Sequence, residues 1–117
     1  MQAISRSEFE QLVSEALDGL PGALADVLEN VVVLVTEEPP PDEDRELLGL
    51  YEGIPLTERD GGYSGVLPDH VTIFRGPVLR MCTSWEEAVD EIRITVVHEI
   101  AHHFGIDDAR LHELGYG

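Results

Sequence analysis

His98, Glu99 and His102 are spaced so that a helix would set two imidazoles and a carboxylate on adjacent turns. On a helix, residues four apart differ by about 40° in azimuth and lie about 6 Å apart along the axis, so both rings can reach one ion. Neutral imidazole nitrogens suit Zn²⁺ at about 2.0 to 2.1 Å, and a catalytic site adds a third protein ligand and keeps its fourth position for water. Glu99 falls between the two histidines. Gly105 is placed to end the helix and turn the chain back, which brings Asp108 round as a candidate third ligand. The whole stretch reads HExxHxxGxxD over residues 98–108. Given the chain's composition, HExxH alone arises by chance with odds of roughly one in forty, and the longer pattern with odds of roughly one in five thousand. The longer pattern therefore carries the argument.

That stretch resembles the zincin metallopeptidases, in the variant whose third ligand is aspartate, and the whole chain is similar to a minimal zincin. The resemblance implies zinc ligands at His98, His102 and Asp108, with Glu99 as general base. It also implies a small α+β domain, a mixed sheet of about three strands packed on helices that include a long metal-site helix. Larger metzincins continue into a methionine turn and a second lobe. Here nine residues follow Asp108 and none is methionine, so the expectation is half a substrate cleft.

The helix that must carry the motif is predicted over Trp85 to Phe104, opened by Ser84 and Glu87 as a capping box. With Trp85 set at zero and about 100° per residue, Val89, Ile92, Val96 and Ile100 fall between about −20° and 60° and form the core stripe. His98 and His102 fall near about 220° and 260°, beside Glu91 and Thr95, and so point away from the core. His103 returns to the stripe, where a buried, hydrogen-bonded ring is expected. Asp107 is the natural cap of a short closing helix over Ala109 to Leu114, and His112 and Glu113 are reserve ligands.

Upstream, Ser7 and Glu10 read as a capping box, followed by Phe9, Leu12, Val13, Ala16, Leu17 and Leu20 on one helical face. Leu20-Pro21-Gly22 breaks that helix, and Leu24, Val27 and Leu28 suggest a shorter one ending near Asn30. Val31 to Val35 is a continuous apolar, mostly β-branched run, the pattern of a central strand covered on both faces. The proline- and acid-rich stretch from Glu37 to Asp44 is an exposed connection. Leu47 to Tyr51 reads as a second strand, interrupted by Gly49 and closed by Gly53, and the chain is then turn-rich to Asp69, most clearly at Asp60-Gly61-Gly62. His70 to Arg75 reads as a third strand ended by Gly76-Pro77, and Val78 to Met81 as a helical turn or an extended crossing. The zincin resemblance implies that the strand around Val71 to Phe74 lies at the sheet edge above the metal, where an extended substrate adds by β-augmentation.

Length and composition bound the function. One domain is expected from 117 residues. The formal charge is −17, and every basic residue is arginine. Such a surface repels nucleic acid and anionic lipid and attracts cations and basic peptides. The single cysteine, Cys82, cannot bridge within the chain, and the opening residues lack the apolar run of a signal peptide, so a cytoplasmic protein is expected. The leading reading is zinc-dependent hydrolysis of peptide or unfolded-protein substrates, basic ones favoured. Tyr63, Tyr116 and Arg75 are candidates for stabilising the oxyanion. The alternative is a zinc-bearing interaction module without proteolysis, whose closed site would have four protein ligands.

Overall fold

The computed structural model describes residues 4–20, 22–28, 31–53 and 69–105, together with Ala109 and Glu113. The element order is α1 (Arg6–Asp18), α2 (Gly22–Leu28), β1 (Val32–Thr36), β2 (Gly49–Glu52), β3 (His70–Phe74), α3 (Arg75–Met81) and α4 (Trp85–Phe104). The fold is α+β, with a three-stranded mixed sheet in the order β1-β3-β2. β3 runs parallel to β1 and antiparallel to β2, with Leu34 against Thr72 on one side and Leu50 against Thr72 on the other.

That order corrects two expectations. The strand over Val71 to Phe74 is central rather than at the edge, and the run around Val31 to Val35 supplies an edge strand rather than the centre. β1 alternates between half-buried and exposed positions, and Val32 and Leu34 are each 42% exposed. β3 is the strand enclosed on both faces, from Val71 to Phe74. An unbroken apolar run reports strand propensity; which strand becomes central depends on pairing between distant segments, and here β3 has the neighbours.

α1 begins two positions earlier than the Ser7 and Glu10 pattern suggests. Ser5 is the N-cap: its Oγ accepts from Glu8 N at 3.1 Å, while Glu8 Oε1 accepts from Ser5 N at 3.1 Å. The bond from the Ser5 backbone N–H, with hydrogen bonding to the Ser5 hydroxyl second, holds the Glu8 carboxyl below its ordinary range. Phe9, Leu12, Val13 and Ala16 form the buried face of α1, as the periodicity requires. α3 settles the open choice after β3 in favour of helix. It starts at Arg75, so Gly76-Pro77 occupies the first turn, where proline's missing donor costs nothing, instead of breaking the chain.

α4 has the bounds its caps dictate. Ser84 Oγ accepts from Glu87 N at 3.1 Å, and Glu87 Oε1 accepts from Thr83 N at 2.8 Å. At the other end Gly105 adopts φ 72°, ψ 24°, a left-handed conformation that glycine takes without a Cβ clash, and its N–H bonds to Ala101 O. Ala88, Ile92, Val96, Val97, Ile100 and Ala101 are fully buried and meet Phe9 and Leu12 of α1, Val71 and Ile73 of β3, and Val78 of α3 in one core. Val89 is partly buried against that core. Cys82 lies in it too; burial pushes its thiol up to about 11, so it stays protonated and unreactive near neutral pH. Among the described residues no helix is long and apolar enough to cross a membrane.

The turn at Asp60-Gly61-Gly62 lies outside the described residues, as do Asp107 and most of the short helix expected over Ala109 to Leu114, of which Ala109 and Glu113 are helical. The strand order makes a direct prediction. Ile73→Ala, in the enclosed strand, is expected to cost about 2 to 5 kcal/mol in urea unfolding, and Leu34→Ala, on the open face of β1, less than about 1 kcal/mol. The reverse ranking would contradict the order β1-β3-β2.

Candidate active site

The core stripe of α4 fixes which side of the helix is left over. His98 and Glu99 are half-buried and His102 is exposed, and all three line one open cavity of about 410 Å³. The two imidazole rings stand nearly parallel, 9° apart in plane, with centroids separated by 6.5 Å. The remaining wall is made by Asp44, Glu46, Leu47, Leu48 and Gly49, with Thr95 on the helix one turn before Glu99. Neutral nitrogen donors on adjacent turns, facing the same water-accessible space, are the chemistry zinc takes. Among the described residues, no group of three or more His, Cys, Asp or Glu stands where it could hold a metal ion. Asp108, the expected third ligand, lies outside the described residues, as does the reserve ligand His112.

β2 presses directly on the helix. A Cβ at Gly49 would come within 2.8 Å of Thr95 Cγ2 and 3.1 Å of Thr72 O, so only glycine lets the strand approach this closely. Tyr51 N then donates to Glu99 Oε1 at 2.9 Å. The Tyr51 phenol donates to Asp69 Oδ2 at 2.9 Å, and its ring stacks on His103 at a centroid separation of 4.0 Å and an angle of 20°. His103 is therefore exposed and stacked, not buried on the core stripe as its azimuth suggests. The reason is local: the last turn of α4 runs past the core and over the end of β2, where Gly53 leaves room. A Cβ there would lie 2.8 Å from His103 Cε1.

The loop that forms the acidic wall is tied to α3. Arg80 donates to both carboxylate oxygens of Glu38 at 3.0 Å and to Arg45 O at 3.2 Å, between the wall residues Asp44 and Glu46. Asp44 Oδ1 accepts from Glu46 N at 2.8 Å and shapes the turn. Arg75, one of the oxyanion candidates, is used elsewhere: it donates to Glu37 Oε1 at 2.8 Å and to Ile4 O, and it does not line the cavity. Tyr63 and Tyr116, the other two, lie outside the described residues.

Motif spacing brings out His98, Glu99 and His102 and passes over Gly49, Tyr51 and Asp69, which fix β2 beside them. A glycine inside a strand pattern is the available sequence signal for such a close approach. The sequence profile of the zincin-like metallopeptidase family matches residues 28–117, most of the chain and the whole of this site. The chain belongs to the zincin-like metallopeptidase family. Zinc is the metal typical of these zincin-like proteins. A solved structure of a conserved hypothetical protein from Thermo thermophilus superposes with a TM-score of 0.57 and 28% identity, covering 86% of this chain and 94% of that one. A comparison with curated proteins finds no match.

The Arg80 clamp has a pH dependence of definite sign. Hydrogen bonding to Arg80 is the main cause that lowers the Glu38 carboxyl from its ordinary 4.5. Its stabilisation is therefore fully present above about pH 4.5 and is lost as pH falls through the lower folded value. The stability difference between wild type and Arg80→Met, followed by thermal unfolding, should be constant near neutrality and shrink below about pH 4.5. A difference independent of pH down to about 3 would count against the clamp.

Proposed function

We propose that this zincin-like chain is a zinc-dependent peptidase in which Glu99 is the general base. The observation that carries the reading is the convergence of His98, Glu99 and His102 on one open cavity against the edge strand β2. Zinc held by His98 and His102, with Asp108 as the proposed third ligand, would supply a water acidified towards about pH 7 and a Lewis acid for the scissile carbonyl. Glu99 takes the proton from the attacking water and passes it to the leaving amine as the bond breaks. Leu48 and Leu50 turn their backbone groups into β3, so the opposite edge of β2 faces the cavity side and takes the place first expected of β3 for an extended substrate. Asp44 and Glu46 on the wall, and a formal charge of −17 overall, favour basic peptides. With the cavity open, short or unfolded chains are better substrates than folded proteins.

Metal binding and proton transfer can be tested separately. One zinc per chain is expected by elemental analysis after reconstitution. His98→Ala and His102→Ala should each abolish its retention, and Asp108→Ala should weaken it far more than Asp107→Ala. A wild type that takes up no zinc would sink the reading. Equal loss of thermal stability in the two aspartate variants, with zinc kept, would make Asp108 a cap.

Glu99→Gln should leave zinc bound while slowing cleavage of a mixed peptide library by about 10²- to 10⁴-fold, roughly 3 to 5 kcal/mol of barrier. Cleavage at the wild-type rate in that variant would exclude Glu99 as the base. No cleavage by zinc-loaded wild type would favour a zinc-bearing binding module on the same scaffold.

A further inference from the structure

We infer that Tyr51 is the positioning residue for Glu99, holding the carboxylate through its backbone N–H; the inference rests on the reading of Glu99 as the base. The sheet register makes this N–H unusual. Phe74 N donates to Leu48 O, and Leu50 lies opposite Thr72, so alternate residues of β2 spend their backbone groups on β3. Gly49 and Tyr51 fall on the other parity and direct theirs outward. An outward N–H on an edge strand ordinarily meets water or an added strand. Here Glu99 Oε1 takes it at 2.9 Å, a contact between residues 48 apart in sequence. A carboxylate acceptor makes this stronger than a neutral ladder bond.

The contact is held from several directions. The phenol of Tyr51 is fixed by Asp69 Oδ2 at 2.9 Å, and its ring is backed by His103. Gly49 lets the strand lie against Thr95, and Gly53 admits the His103 ring. Each contact restricts where the Tyr51 N–H points, and none involves the two imidazoles proposed as ligands. The result is a carboxylate with one oxygen committed to the strand and Oε2 left to accept the proton of the attacking water. A peptide added along β2 meets Tyr51 with its N–H already engaged, so strand addition leaves the base in place.

Amide exchange followed by NMR on the zinc-loaded full chain reads the contact without relying on turnover. Glu99→Ala should speed exchange of the Tyr51 amide about tenfold while leaving the Leu50 amide, bonded into β3, unchanged. Glu99→Gln keeps an acceptor oxygen and should speed it less. In peptide cleavage, Tyr51→Ala should lower kcat by about tenfold to a hundredfold, with KM and zinc affinity within about twofold of wild type. Tyr51→Phe, which keeps the ring on His103 and loses the bond to Asp69, should show a smaller fall of the same kind and carries the test if Tyr51→Ala does not fold. Unchanged Tyr51 exchange in Glu99→Ala, or a rise in KM with kcat intact, overturns the assignment in a chain that does cleave peptides. A wild type that cleaves nothing overturns the peptidase reading itself, and with it any role of Tyr51 in the reaction.

Discussion

The rotation of α4 about its own axis is the constraint on which the candidate site depends. Ile92, Val96 and Ile100, flanked by Ala88, Val97 and Ala101, are wholly buried against α1, β3 and α3. Turning the helix by one residue position, about 100°, would bring most of that stripe into water at about 1.5 to 3 kcal/mol for each large side chain. Packing that tight leaves one azimuth for the opposite face. His98, Glu99 and His102 inherit it, together with the cavity they line. The donors need no attraction of their own to be aimed; the core aims them.

The second structural demand is that something rigid stand across from that face. β2 meets it because Gly49 removes the side chain that would have collided with Thr95, and because Tyr51 ties the strand to Glu99, Asp69 and His103 at once. The acidic loop before β2 closes the remaining side, fastened by Arg80 to the end of α3. Acids concentrated on this wall fit the charge of the whole chain. A wall of one sign is what the proposed preference for basic peptides requires.

Much of this was legible in the sequence. The bounds of α4 followed from Ser84 and Gly105, and the separation of the core stripe from the histidine face followed from a period of about 3.6 residues. Ser5 and Ser7 stand equally well before an acid three residues on, and only the bonds of Ser5 and Glu8 make Ser5 the cap of α1. Strand order was not legible. The apolar run of β1 looks central, yet β3 takes that place, since pairing is decided by segments tens of residues apart. His103 departs from its azimuth for a related reason: an azimuth says which way a ring points and not whether the core extends that far along the helix. Asp108, Asp107, His112, Tyr63 and Tyr116 lie outside the described residues.

His98 and His102 are proposed to bind one zinc ion with water beside them. X-ray absorption at the zinc edge of the loaded chain tests this most directly. The expected spectrum has imidazole scattering from two histidines, nitrogen and oxygen neighbours at about 2.0 to 2.2 Å, and no sulfur. A shell at about 2.3 Å from thiolate, or a spectrum without imidazole scattering, would contradict it.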